Sequence, residues 1–115
     1  SGNVEAVKAL LDAGADPRGT DTVYLDTPLH CAAVNGNVRI VELLLQHNAD
    51  INAKTGSTQD TALHYATAYN HMDVVKLLTS RGASLSLRDK DGKTPLGRST
   101  SVPIKNFLNE LGAEE

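Results

Sequence analysis

Tryptophan is missing from this 115-residue chain, and it holds only one Phe and three Tyr. Large aromatic rings therefore fill little of any core, and thin layers of small aliphatic side chains must do the packing. Cysteine is nearly absent too: Cys31 stands alone, which excludes an internal disulfide and favours a reducing compartment. The longest apolar runs are a few residues, far short of the roughly 20 that a membrane-spanning helix needs. A surplus of basic charge is also lacking. The net charge of −3 offers no broad cationic footprint for a nucleic-acid backbone. No segment resembles a phosphate-cradling Gly-rich loop or a nucleophile elbow. The remainder, 40% hydrophobic and 22% charged, is ordinary for one compact domain.

What the chain has is repetition. "TPLHCAAVNGN" begins at Thr27 and "TALHYATAYNH" at Thr61, 34 positions later. "GNVEAVKALLDAGAD" from Gly2 matches "GNVRIVELLLQHNAD" from Gly36 and "NHMDVVKLLTSRGAS" from Asn70, again at offsets of 34. "TPLG" at Thr94 follows Thr61 by 33. A period near 33 predicts a solenoid of helix pairs.

Each unit carries the same local signals. Thr27 and Thr94 can cap a helix whose first position is Pro28 or Pro95. A short Ala-rich helix is predicted near Leu29–Val34 and again near Leu63–Tyr69. Ala32, Ala33 and Ala66 let neighbouring helices approach closely. A turn at Asn35–Asn37, or Asn70–His71, leads to a second helix. Its apolar residues Val38, Val41, Leu44 and Leu45 follow the 3.6-residue period. Gly14, Asn48 and Gly82 stand where that helix needs a left-handed residue to end. One such unit buries a single face, so neighbours must stack to make a core.

The segments "TPLHCAA", "GNVRIVELLLQHNADINA" and "DKDGKTPL" resemble the ankyrin repeat, and the resemblance runs from Gly2 to about Ala113. It implies an all-α fold: an α-solenoid of helix pairs joined by β-hairpin-like fingers, with a concave binding face. Residues 1–115 are then one domain: a half repeat and finger (2–26), full repeats (27–60 and 61–93) and a shortened C-terminal capping repeat (94–115). The first unit lacks its first helix, which leaves Val4, Val7, Leu10 and Leu11 short of partners. Further ankyrin repeats are therefore expected ahead of Ser1. In the last unit Gly97, Ser99 and Thr100 replace the usual His, Ala and Ala. Ile104, Phe107, Leu108 and Leu111 keep an apolar stripe, and this unit reads as the end of the array. The third finger holds Asp91-Gly92, a strong tight-turn pair, whereas the first two fingers are expected to have wider tips.

No residue set points to catalysis, a metal or a cofactor. His30 and His64 lie one repeat apart, and metal ligation would need further converging donors. The resemblance implies instead that each bonds backbone between repeats. Cys31 beside His30 does not face it on a helix. "DKDG" at Asp89–Gly92 starts like a calcium loop but lacks the later ligands. Asp21, Asp26 and Asp60 are scattered over fingers, with no evident apolar pocket to shift their ionisation.

The matched outer-helix charges Glu5, Arg39 and Asp73, then Lys8, Glu42 and Lys76, change sign from unit to unit, as a solvated convex face does. The resemblance places partner contacts on the fingers and the concave side of the first helices. By position these are Tyr24, Asp26, Val34 and Asn35, then Ser57, Gln59, Asp60, Ala68 and Tyr69, then Arg88, Lys90 and Lys93. Tyr24 and Tyr69 stand out because aromatics are so scarce, although Tyr69 has the alternative of burial between helices. Tyr65 is expected to pack. Asp21 and Asp26 at one end and Arg88, Lys90, Lys93 and Arg98 at the other predict a partner of complementary polarity. The expected function is a non-catalytic module that binds a partner protein or peptide, without nucleic acid or membrane insertion, in the cytoplasm or nucleus. The alternative is a regulatory ankyrin segment of a larger enzyme, channel or transcription regulator. Asn52, in "NADIN", resembles the asparagine that hydroxylases modify in many ankyrin repeats.

Overall fold

Side-chain caps set where several of the helices begin. The computed structural model describes residues 28–56 and 58–113. Within them lie α1 (Pro28–Asn35), α2 (Val38–Gln46), α3 (Ala62–Ala68), α4 (Met72–Ser80), α5 (Pro95–Arg98) and α6 (Val102–Glu110), with no strand among the described residues. The Thr61 hydroxyl accepts the His64 amide at the start of α3, and Thr94 accepts the Gly97 amide at the start of α5. Asn37 Oδ1 accepts the Ile40 amide at 3.2 Å to open α2. The expected Thr27 cap, Gly14 and the half repeat lie outside the described residues.

Left-handed residues end the outer helices, as their positions in the sequence require. Asn48 has φ 69°, Gly82 has φ 89° and Gly112 has φ 92°. The amides that follow, from Ala49, Ala83 and Ala113, donate back to Leu44, Leu78 and Leu108, each at 3.0 Å. These bonds satisfy carbonyls that the helix itself leaves open. Between the helices of a pair the chain turns at Gly36 (φ 72°) and Asn70 (φ 63°). The His71 ring packs over Gly36, and its Nε2 donates to the Val34 carbonyl at 2.8 Å.

Helices α1, α3 and α5 pack side by side as an inner layer, and α2 and α4 form an outer one. Ala32, Ala33, Ala62 and Ala66 keep the layers close. They share one buried cluster with Val41, Leu44, Val74, Val75, Leu78, Ile104 and Leu108. Leu44 and Leu78 thus belong to a continuous core, which is what stacking of single-faced units demands. The last pair departs from the expected stripe. Ile104 and Leu108 are buried, but Leu111 sits at the end of α6 and is 48% exposed. Its inner helix α5 has only four residues. No helix among the described residues is long and apolar enough to cross a membrane.

Candidate functional site

Two histidines hold the fingers in place. His30 Nε2 reaches the carbonyls of Ala53 (2.8 Å) and Asp60 (3.0 Å). His64 Nε2 donates to the Lys93 carbonyl at 2.8 Å, across 29 residues. Its Nδ1 accepts from the Thr61 amide at 3.0 Å and the Thr61 hydroxyl at 2.8 Å, which fixes the tautomer. Burial is the main force that lowers the His64 pKa below the usual histidine value, against the opposing Lys93 carbonyl and the nearby aspartates. A neutral ring suits both bonds.

The fingers are also tied to each other. Asn52 Oδ1 accepts the Ser84 amide at 2.9 Å, Lys54 Nζ donates to the Arg88 carbonyl at 2.9 Å, and the Lys90 amide donates to the Thr58 carbonyl at 2.8 Å. In the finger over 81–94, the Asp89 amide donates to the Lys93 carbonyl, and the Gly92 amide to the Asp89 carbonyl, both at 2.9 Å. Asp89 Oδ1 accepts the amides of Asp91 (2.9 Å) and Lys93 (3.0 Å). The "DKDG" segment is therefore a tight turn whose acid is turned onto its own backbone.

The exposed surface over these ties includes several of the expected contact residues. Tyr69 is 55% exposed. It meets the half-buried Tyr65 ring edge-on at 6.4 Å, and Tyr65 meets His30 at 5.8 Å in the same manner. Asn35, Gln59, Arg88, Lys90 and Lys93 are exposed, while Val34 and Ala68 are half-buried. Gln59 holds φ 60°. Among the described residues, Lys54, Arg88, Lys90 and Lys93 form no ion pair; Lys54 and Arg88 rest on main-chain carbonyls instead, Arg88 Nη1 reaching Gly92 at 2.7 Å. Cys31 is exposed on α1. Tyr24, Asp26 and Ser57 lie outside the described residues.

Three expectations need correction. Asp60 is not a surface contact: it is 1% exposed and points inward. Its Oδ2 accepts from the Thr58 hydroxyl at 2.7 Å and faces Arg98 Nη2 at 3.4 Å. Nor do its surroundings leave its ionisation alone. Burial drives the Asp60 pKa above the usual carboxylate value, and the Asp89 carboxyl adds to this, against Thr58, Arg98 and His64. Arg98 is not part of an exposed positive end either, because its Nε lies 3.3 Å from Asp89 Oδ2. Asp89 also feels burial, but the Lys93 amide, the Asp60 carboxyl, the Asp91 amide and Arg98 together hold its pKa low. Sequence reasoning missed this cluster. One signal was available: Arg98 occupies the inner-helix position where the earlier repeats have Cys31 and Tyr65.

Asp60, His64 and Asp89 bring ligand-type atoms within 4.8 Å of one another. Both His64 nitrogens are already engaged, and the Arg98 guanidinium supplies the local positive charge. A divalent ion there would break the α3 cap and meet a resident cation, so the donors do not fit a metal centre.

Stacked helix pairs with cross-tied fingers define a repeat solenoid. A profile of ankyrin repeats (many copies) matches residues 1–45 and 29–79, and the chain belongs to the ankyrin repeat family. It is similar in structure to the ankyrin repeat domain of Bcl-3, described as a unique member of the IkappaB protein family. The identity is 35% and the TM-score 0.85, over 91% of this chain and 46% of that one. The chain thus spans about half the length of the Bcl-3 domain. A search of curated proteins by sequence found no match.

Proposed function

We propose that this chain is a non-catalytic module that binds a partner protein or peptide along its fingers and inner helices. Ankyrin repeats in general serve protein–protein interaction. The observation that carries the reading here is four exposed finger cations without carboxylate partners among the described residues, Lys54, Arg88, Lys90 and Lys93, on a scaffold that also exposes Tyr69. Unpaired cations steer an acidic ligand, and a braced Tyr supplies contact area at low entropic cost. The favoured partner is therefore an acidic segment with an apolar side chain for Tyr69. Of the positions expected to bind, Val34, Asn35, Gln59, Ala68, Tyr69, Arg88, Lys90 and Lys93 remain candidates.

Peptides selected from a random display library against the intact chain test this. Acidic sequences should be enriched. Tyr69→Ala should weaken the best of them by roughly 30-fold, the scale of an interface anchor. A Lys90→Glu/Lys93→Glu double variant should slow association and flatten its salt dependence. Neutral binders indifferent to all three substitutions would overturn the assignment.

A further inference from the structure

The contact between the two described fingers and α5 buries more charge than its hydrogen bonds satisfy. Asp60 Oδ2 is occupied by Thr58 and Arg98, and Asp89 Oδ1 by the Asp91 and Lys93 amides. The other oxygens, Asp60 Oδ1 and Asp89 Oδ2, are buried without a hydrogen bond, as is Arg98 Nε. The two carboxyl groups approach each other within 4.8 Å. Two ionised carboxylates against one guanidinium leave a net negative charge away from water, which is strongly unfavourable. A guanidinium cannot deprotonate, so the pair must adjust by taking up a proton.

We infer that Asp60 and Asp89 hold one proton between them, carried on Asp60 Oδ1, and that it fastens the two fingers to the last helix pair. The proton comes from a solvent hydronium ion: one of its O–H bonds breaks, leaving water, one O–H bond forms on Asp60, and there is no change of oxidation state. Its place on Asp60 follows from the surroundings. Asp89 receives two amide N–H groups, which favour its anion. Asp60 has one hydroxyl donor and the longer contact to Arg98. The groups that face Asp60 are Thr58 on its own finger, Asp89 from the next finger, Arg98 from α5 and His64 from α3; from α1, His30 meets only its carbonyl. The opposed pKa directions of the two acids agree with this placement. Asp60 and Asp89 thereby act as positioning residues: Lys90 and Lys93 flank the turn that Asp89 anchors. The proton site stands or falls independently of what the fingers bind.

Asp60→Asn replaces the shared proton with an amide hydrogen while keeping an oxygen for Thr58 and Arg98. This variant should melt higher than the wild-type chain near neutral pH, by roughly 4 °C or more. The gap should close as pH falls toward the ordinary carboxylate range, because loading the proton onto the wild-type chain as it folds then costs less. Because the Asp60 charge also raises the His64 pKa, the His64 ring is followed separately by its own resonances in both proteins. Asp89→Asn should melt lower than the wild type near neutral pH, since it removes the anion that Arg98 and two amides hold. Carboxyl carbon-13 resonances of the intact wild-type chain give a reading free of any variant: Asp60 should titrate above the usual value of 3.8 and Asp89 below it. A variant at Asp60 that melts lower throughout, a gap independent of pH, or an Asp60 midpoint at or below the usual value would each overturn the inference.

Discussion

Replacing His64 with Leu tests the stacking scheme most directly. The ring is fully buried. Its loss strips the Lys93 carbonyl of its donor, and the Thr61 amide and hydroxyl of their acceptor. Thr61 is itself buried, so water does not easily replace the lost acceptor there. An unsatisfied buried backbone group costs about 1–3 kcal/mol, so the carbonyl and amide together cost about 2–6 kcal/mol. Half of the α3 capping box goes as well, at roughly 0.5–2 kcal/mol. Leu fills a similar volume and returns some apolar contact, so the net loss should be about 3–5 kcal/mol. Domains of this size commonly have only about 5–15 kcal/mol to lose. Urea unfolding followed by circular dichroism, with linear extrapolation to water, reads the difference. A loss below about 1 kcal/mol with an unchanged slope would refute the claim that this histidine joins one repeat to the next.

Gly36→Ala should cost about 2 kcal/mol or more, because a Cβ there would lie 2.6 Å from His71 Nδ1 on a backbone with φ 72°. Gly82→Ala, equally left-handed but facing open space, should cost only about 1 kcal/mol, and thermal melts of the two variants check the contrast. Acidification should also weaken the fold through His64. Its folded pKa lies below the ordinary 6.5, so this contribution is complete above 6.5 and is lost as pH falls from there toward the folded value. Urea midpoints measured across that window should fall less steeply for His64→Leu than for the wild type.

The stacking was legible because each of its determinants is local. Asn48 and Gly82 mark helix ends by backbone conformation alone, and Thr61 and Thr94 mark helix starts by the reach of one hydroxyl. The four-residue α5 was foreshadowed by the loss of His and Ala at Gly97, Ser99 and Thr100. The buried charge cluster was not legible. Asp60 lies 29 residues before Asp89 and 38 before Arg98, and only the docking of one finger against the next finger and α5 joins them. Position in the motif placed Asp60 on a finger, but it does not say which way a finger side chain turns. Leu111 was misread for a related reason. Periodicity continues through a helix cap, whereas Leu111 stands at the cap itself, past the buried face of α6.

The bond between the Lys90 amide and the Thr58 carbonyl uses main-chain atoms alone, and the Asn52 and Lys54 links also end on main-chain atoms. Side chains at 88, 90 and 93 can accordingly be exchanged without cutting any of these cross-links. A randomised set at those three positions should retain one backbone while sampling many ligand preferences, so the molecule can serve as a starting scaffold for engineered binders.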